Sequence, residues 1–554
     1  MKKYHTLFVV AIATLVVLLL TWILPITYLN GELIAGERVQ AGIFNVFNYS
    51  LYTFYNFPYV LVYLLLVGGF YGLLNKTGAY RLLLDKIVKH VKKRQVLCLS
   101  ITVLLIALIV SFTGFTYEAL LILPFIAAVV LMLGYDKITA AMVTVGSVSV
   151  GIIGSTFSKA IVGKLNSLLE SLSYTDLIIP KVVLLVLCSA VLVLNIVLYT
   201  RKHEVKEEVE EGFLVPKKVV GKKVKVWPLV VILLTMVIFM IMGAIDWTGA
   251  FKISFFADAL TTIKSWHVLS RYVILTVCVI AVLINLIVSL VNKKKNSKDE
   301  KKDTKFMSKR RMIVTIVFGA IAFLALLKIM LEDVFKATDF MTKFLDAIKV
   351  NSFFEGFTFD KLLGTIVGFG SFTYNDYMIL LILAMVAIKF TYRIKLSDAI
   401  DNVGEGFKHV LYGSIVVVLS YIVLFIVSSH PIGLTILKPL LEMTDGLNIL
   451  LYPLCTLFSA LFNSDFAFYE YGVLNVSYVA TAYTGSGILP LAEFITQTMY
   501  GFATMLAPTS VVLLFTLSVL DIKYTTWLKK ILILLLELLV VIILSYVVLK
   551  LWII

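Results

Sequence analysis

Residues 111–158 read SFTGFTYEALLILP, then an apolar arm closing on LGYDK, then ITAAMVTVGSVSVGIIGSTFS. A counterpart lies near the C-terminus: NSDFAFYEYGVLNV at 463–476, then GSGILPLAEFITQTMYGFATMLAPTS at 485–510. Each copy opens on a polar knot with a Tyr-Glu pair, Tyr117-Glu118 and Tyr469-Glu470. Each goes on to a second polar break, Gly154-Ser155-Thr156 and Pro508-Thr509-Ser510. On this reading Thr156 corresponds to Thr509. Both knots and both breaks interrupt hydrophobic segments. Irregular polar backbone at membrane depth is tolerated only where protein buries it or it lines a cavity. Paired interruptions in two halves of a chain are the sequence mark of a transporter's binding site.

Working outward, apolar segments of membrane-crossing length recur through all 554 residues, which are 60% hydrophobic with mean hydropathy +0.99. The net charge of +15 sits mainly in short loops, chiefly 201–226 and 292–311. That distribution follows the positive-inside rule and excludes a nucleic-acid surface. The charged loops read as solvated or facing lipid phosphates. Cys98, Cys188, Cys278 and Cys455 are scattered through apolar segments, with neither metal spacing nor a disulfide framework. The apolar run 7–27 after Met1-Lys2-Lys3 is too long for a signal peptide and lacks a small-residue cleavage site, so it is expected to be an uncleaved first helix.

The chain in order predicts an external loop to about residue 56, a helix over 57–75 and a cytoplasmic amphipathic helix after it. Residues 96–134 are expected to form a re-entrant hairpin opening inward, and 138–172 a broken helix running out. Spans are expected next at 178–200, 227–245, 271–291, 312–331 and 376–390. An amphipathic piece, 391–407, precedes a span at 408–428. A second hairpin, 448–484, opens outward; a second broken helix, 488–520, and a last helix, 531–552, complete the chain. The expectation is an all-α polytopic membrane protein, an inverted repeat with two re-entrant hairpins, two broken helices and about eleven spans, N-terminus cytoplasmic. The chain divides into five regions: 1–95, first scaffold helices; 96–172, transport domain; 173–447, scaffold; 448–520, transport domain; 521–554, C-terminal helix.

Several stretches resemble the YfcC-like and anaerobic four-carbon-dicarboxylate carriers of the ion-transporter superfamily. They are GGFYGLLNKTGAYRLL, SFTGFTYEALLILP, LGYDKITAAMV with GSVSVGIIGSTFS, IDWTGAFKISFFADAL, and FATMLAPTSVVLL with YTTWLKK. They span nearly the whole chain in order. The resemblance implies a dimerising scaffold, a transport domain of hairpins and broken helices, and elevator-type alternating access driven by sodium or protons. It implies a small carboxylate substrate, a dicarboxylate or an amino acid, in a bacterial-type cytoplasmic membrane. Two positions depart from the family: the second tip reads NSDFAFYEYG rather than a glycine- and serine-rich turn, and the first break continues as Phe157-Ser158-Lys159.

A helix broken at mid-membrane exposes N–H groups at one new end, which favour a carboxylate, and carbonyls at the other, which favour a cation. Ser155, Thr156, Ser158, Thr509 and Ser510 add hydroxyls, and a coupling Na⁺ is expected near Gly154, Thr156, Pro508 and Thr509. Glu118, Asp465 and Glu470 lie at the tips, where an ionised carboxylate needs a cation, a proton or a partner. Lys159 is expected to pair with an acid, hold a substrate carboxylate or snorkel. Thr113, Asn463, Ser464 and Gln497 are expected to face the same cavity; Glu493 and Glu537 are further intramembrane acids, read as structural partners or proton sites. The abundant Tyr and Phe are expected mainly in interfacial belts. No cofactor beyond a coupling ion is expected, and the partners are a small carboxylate or amino acid, the bilayer and a second copy of the chain. The acids favour an amino acid over a dicarboxylate. No carbonyl filter suggests a channel, and no HExxH or GxSG set suggests an intramembrane enzyme.

Overall fold

The computed structural model describes residues 4–24, 28–29, 32–33, 40–169, 172–202, 211–218, 224–252, 267–296, 307–329, 367–430, 432, 435, 439, 447–463, 465–466 and 488–553. The described secondary structure is helical apart from a two-residue antiparallel pair, Tyr28–Leu29 with Glu32–Leu33, and an isolated antiparallel bridge between Ser158 and Ile245. Among the described residues eight helices are long and apolar enough to cross a membrane. Residues 253–369 form a compact unit of their own, in which α11 (His267–Asn296) packs on α12 (Lys309–Ile329). The other unit, residues 1–252 and 370–554, holds both polar knots and both breaks.

In this larger unit, helix α1 (His5–Ile23) is followed by α2 (Ile43–Asn56), which occupies part of the stretch expected to be loop. Pro58 opens α3 (Pro58–Thr77), where its missing N–H costs nothing, and Gly78 in the left-handed region turns the chain into α4 (Ala79–Val91). Helix α3 crosses α14 (Leu396–Ser429) at a glycine contact. A Cβ on Gly72 would meet Gly406 Cα at 3.0 Å, and one on Gly68 would meet Gly406 O at 2.7 Å. Helix α14 is continuous across the expected join between 391–407 and 408–428; its polar first turns and apolar remainder share one hydrogen-bonded helix. It also packs on α1, α2 and α17 (Val511–Leu520), while α13 (Tyr374–Thr391) lies on α3 and on α10 (Trp227–Ala244).

The first hairpin is formed by α5 (Gln95–Thr113), a tip with a 3₁₀ turn at Glu118–Leu121, and α6 (Leu123–Met132). Its direction is fixed by three contacts along α3 and α4. Tyr63 Oη donates to Glu118 O at 3.4 Å and Tyr71 Oη to Leu121 O at 2.7 Å, and the rings of Tyr80 and Phe125 lie 6.4 Å apart. The returning arm therefore descends beside α3 towards α4, and the hairpin opens on the α4 side as expected. Asp136 caps α7 (Lys137–Ile153), accepting from Thr139 N at 2.8 Å. This helix contains a π turn at Met142–Gly146, stops at the break, and resumes as a π turn (Lys159–Gly163) leading into α8 (Lys164–Leu169).

The second half supplies α15 (Leu451–Phe462), then α16 (Leu489–Ala503), a break and α17; α18 (Tyr524–Ile553) ends the unit. The outgoing arm of the second hairpin, with Ser464, Tyr469 and Glu470, lies outside the described residues. Helices α7 and α16 cross where Ser149 Oγ donates to Gly501 O at 2.5 Å, across a separation of 352 residues. The same separation relates Tyr117-Glu118 to Tyr469-Glu470 and Ser158 to Ser510. Residues equivalent in a two-fold repeat touch only near its axis, so this contact marks the axis. It also shifts the expected register: Ser158, not Thr156, matches Ser510, and each caps the resumed half-helix. Ile161 N donates to Ser158 Oγ at 3.1 Å and Leu513 N to Ser510 Oγ at 3.3 Å. Helices α9 (Ile178–Lys202) and α18 pack on each other; α9 also lies on α5 and α7, and α18 on α16.

The glycine crossing is testable. Gly406→Leu should overpack the α3–α14 contact and cost about 1–3 kcal/mol. In detergent this is expected as a lower thermal midpoint, whereas Gly404→Leu, at a position with nothing within 4 Å of an added Cβ, should leave the midpoint near that of the parent.

Candidate functional site

The two breaks are largely repaired by the protein itself. At the first, Ser111 Oγ donates to Gly154 O at 2.6 Å, and Thr156 N and Ser155 Oγ donate to Ser111 O at 3.0 and 3.3 Å. Gln497 Nε2, reaching from α16, donates to Ile153 O at 3.1 Å and Ser155 O at 2.8 Å. At the second, Thr509 Oγ1 donates to Leu461 O at 3.0 Å and Ser510 Oγ to Thr504 O at 2.9 Å. Ser155, Thr156, Ser158, Gln497, Thr509 and Ser510 are all buried and bond to backbone, Thr156 Oγ1 also pairing with Ser111 Oγ at 3.1 Å. The carbonyls of Ile153, Gly154 and Ser155 each accept from a side chain. Ser111, which residue type alone did not single out, holds that break together.

A cavity of about 730 Å³ lies beside this repaired break. Its floor carries Thr113, Glu118 and Asp465; one wall is the start of the resumed half-helix, Lys159, Ala160 and Ile161, with Lys164 one turn on. The opposite side is formed by Asp246 after α10 and by Gly370–Tyr374 with Tyr377 at the start of α13. The rings of Tyr59 and Tyr374 stack at 5.0 Å, which places the cavity at the Pro58 end of α3, away from α4. Gly114 makes the tip's close approach to the break: its φ is +73°, and a Cβ there would meet Ser158 Cβ at 3.2 Å.

Four candidate residues thus meet in one space: Thr113, Glu118, Lys159 and Asp465. Lys159 Nζ does not pair with an acid; it donates to Gly370 O at 2.8 Å. Glu118 Oε2 accepts from Thr116 N at 3.2 Å, the local bond that fixes the tip. Asp246 accepts from Tyr174 Oη at 2.8 Å and Gly249 N at 2.9 Å. Burial and that carboxylate both raise the Tyr174 hydroxyl's pKa above its ordinary value, so Tyr174 remains a donor. Asn463 is buried but does not line the cavity, and Ser464 and Glu470 lie outside the described residues.

The tyrosines depart from the expected interfacial belts. Tyr63, Tyr117, Tyr377, Tyr421 and Tyr500 are all buried. Tyr117 and Tyr421 both donate to Asp465 Oδ2, the latter at 2.6 Å, and Phe466 N donates to Tyr500 Oη at 2.9 Å. A tyrosine brings a large apolar ring and one hydrogen-bonding tip, which suits a half-polar buried floor. Tyr117 stood in the repeated Tyr-Glu pair, and that was the available signal. Lys181, also missed, forms a fully buried pair with Glu493 at 2.8 Å (side-chain exposures 0% and 1%). Glu537 accepts from Asn195 Nδ2 at 2.5 Å. Among the described residues no cluster of His, Cys, Asp and Glu could hold a metal ion.

The family model of the C4-dicarboxylate anaerobic carriers matches residues 5–359, well over half of the chain. The chain belongs to that family. It is therefore a membrane carrier, and the cavity at the hairpin tip is its candidate solute site. No curated protein matches the carrier. Among solved structures, the Alcanivorax borkumensis YdaH transporter, described as having an unusual topology, aligns over 98% of both chains at 12% identity, with a TM-score of 0.34. That score is too low to argue from.

The Lys181–Glu493 pair gives the site's framework a test. Lys181→Met leaves a buried carboxylate without its cation and should destabilise the carrier by about 3–5 kcal/mol. Lys181→Met combined with Glu493→Leu should regain most of that loss, read as the thermal midpoint of the purified protein. A double variant no better than the single one would make the pair's charge irrelevant.

Proposed function

We propose that the carrier moves a small solute bearing both a carboxylate and an ammonium, an amino acid, by elevator-type alternating access. The observation behind this is the cavity's charge arrangement. Lys159 and the N-terminal end of a half-helix stand on one wall, and Glu118 and Asp465 on the floor. A carboxylate suits the first because ammonium and helix N-terminus both favour negative charge; an ammonium suits the second. A C4-dicarboxylate is the second reading. Both Lys159 and Lys164 reach the cavity, and the family's description names that substrate class.

The moving part in this proposal is the bundle of both hairpins, both broken helices, α9 and α18, which pack on one another. The α3–α14 pair with α1, α2, α10 and α13 provides the frame, and homodimerisation would fix that frame in the bilayer. The basic loop between α9 and α10 touches the α4 end: Arg81 Nη1 donates to Pro216 O at 2.6 Å and Asn75 Nδ2 to Phe213 O at 2.9 Å. By the positive-inside rule that end faces the cytoplasm and the cavity faces out, in a bacterial-type cytoplasmic membrane with the N-terminus inside.

Counterflow in proteoliposomes tests the assignment, with internal unlabelled solute and external labelled amino acids or dicarboxylates. One amino acid is expected to exchange. Lys159→Met and Glu118→Gln should each raise its KM by roughly tenfold to a hundredfold, the range for losing a hydrogen bond to a charged group. Exchange of dicarboxylates alone, with Glu118→Gln unchanged and Lys164→Met impaired, would replace the first reading by the second.

A further inference from the structure

The loop that leaves α10, residues 245–251, lies against the first break, and four contacts make a seam there. Ser158 and Ile245 form an isolated antiparallel bridge. Asp246 Oδ2 accepts from Tyr174 Oη at 2.8 Å. Gly163 leaves room for that hydroxyl, since an added Cβ would come within 2.3 Å of it. The rings of Phe157 and Phe251 lie 4.9 Å apart. Beside the loop, Lys159 Nζ donates to Gly370 O at 2.8 Å, and a Cβ on Gly370 would meet Ile245 O at 2.6 Å. On one side of the seam every residue belongs to the resumed half of the first broken helix or its connection to α9. On the other side every residue follows α10 or precedes α13.

These contacts differ from those that hold the broken helices to each other. Ser149 meets Gly501, and Gln497 meets Ile153 and Ser155, where all partners are buried. Tyr174, Asp246, Lys159 and Gly370 instead line the cavity, so water can take over each of their bonds as it parts. A hydrogen bond exchanged for one to water costs little, whereas one broken in a dry interior costs the full desolvation of its groups. The seam is therefore the joint that separates most cheaply.

We propose that the loop 245–251, together with Gly370, is an outer clasp. It holds the first broken helix against the frame while the cavity is open outward, and it releases that helix when the bundle moves. This rests on the elevator reading above and adds the joint that parts. Tyr174 and Asp246 are its positioning residues, and the Ser158–Ile245 bridge is its backbone. Lys159 belongs both to the clasp and to the proposed solute site, which brings an arriving carboxylate to the joint itself.

Residues bridged in antiparallel fashion have Cα atoms about 4.5–5.5 Å apart, a separation that a disulfide spans. Ser158→Cys with Ile245→Cys is therefore expected to form a disulfide on oxidation, in a background with Cys98, Cys188, Cys278 and Cys455 replaced by serine. Counterflow should proceed in the reduced protein, stop in the oxidised one and recover on reduction. The amino acid or dicarboxylate that the parent exchanges should still raise the thermal midpoint of the oxidised protein. Ser158→Cys alone should be indifferent to the oxidant. Should that pair not fold, Phe157→Cys with Phe251→Cys, joined by a short cleavable bis-thiol reagent, makes the same test. Counterflow that continues in the joined protein overturns the clasp; a parent without counterflow fails the transport reading instead.

A second measurement needs no solute. Nitroxides at Ser167 on α8 and Asn56 at the end of α2, both exposed positions, report the distance between bundle and frame by double electron–electron resonance. Tyr174→Phe removes a hydrogen bond to a carboxylate from the clasp. It should raise the displaced population relative to the clasped one by roughly tenfold to a hundredfold. Identical distance distributions in the parent and Tyr174→Phe overturn the proposal.

Discussion

A carbonyl or N–H that loses its helical partner inside a bilayer must find another, because no water is there to supply one. The rest of this carrier depends on that requirement. Interrupting α7 at Gly154 leaves the carbonyls of Ile153, Gly154 and Ser155 to be satisfied, and the chain does so from two distant places. Ser111 comes from the first hairpin and Gln497 from the other half of the molecule. Each repair fixes a neighbour. Ser111 locks the hairpin tip to the break, and Gln497 locks the two broken helices together where Ser149 meets Gly501. The pseudo-two-fold arrangement is held by the bonds that make the breaks tolerable.

The hydroxyls at the breaks therefore position the site and do not line it. Ser158 and Ser510 end up as helix caps, and Thr156 and Thr509 tie each break to its own hairpin. Of the charged groups that do reach the cavity, Glu118, Lys159, Lys164 and Asp465 sit just beyond these repairs on segments the repairs hold still, and Asp246 follows α10. Positioning charge this way keeps it on backbone that is tied at both ends. It also explains why the cavity lies beside the first break and not within it.

Much of the fold was legible because membrane insertion imposes long apolar segments and charged loops, and because the motif was written twice. The hairpin's direction could be read from loop charge and agrees with the ordering of Glu118, Leu121 and Phe125 along α3 and α4. The register of the repeat was harder. Thr156 and Thr509 resemble each other by residue type, but the cap geometry pairs Ser158 with Ser510, and caps are set by backbone direction more than by residue identity. The helix α2 was missed because its aromatic and polar residues carry no long apolar run. The continuity of α14 was hidden because its composition changes from polar to apolar while its backbone does not.

The tyrosines were the least legible part, for a physical reason. A tyrosine at an interface and one beside a buried acid have the same sequence signature, an aromatic residue near the end of an apolar run. The difference lies only in what the hydroxyl meets, and Tyr421 meets an acid 44 residues further along the chain, on another element. Charge in this membrane interior is handled in two ways that sequence cannot distinguish. Glu493 is balanced by Lys181 within the bundle, a buried pair that is neutral as a whole. Asp465 accepts hydrogen bonds from Tyr117 of the first hairpin and Tyr421 of α14, phenols that come from two other elements. The two acids therefore join elements by different means: Glu493 ties α16 to α9 through an ion pair, and Asp465 ties the second hairpin to the first and to α14 through phenols.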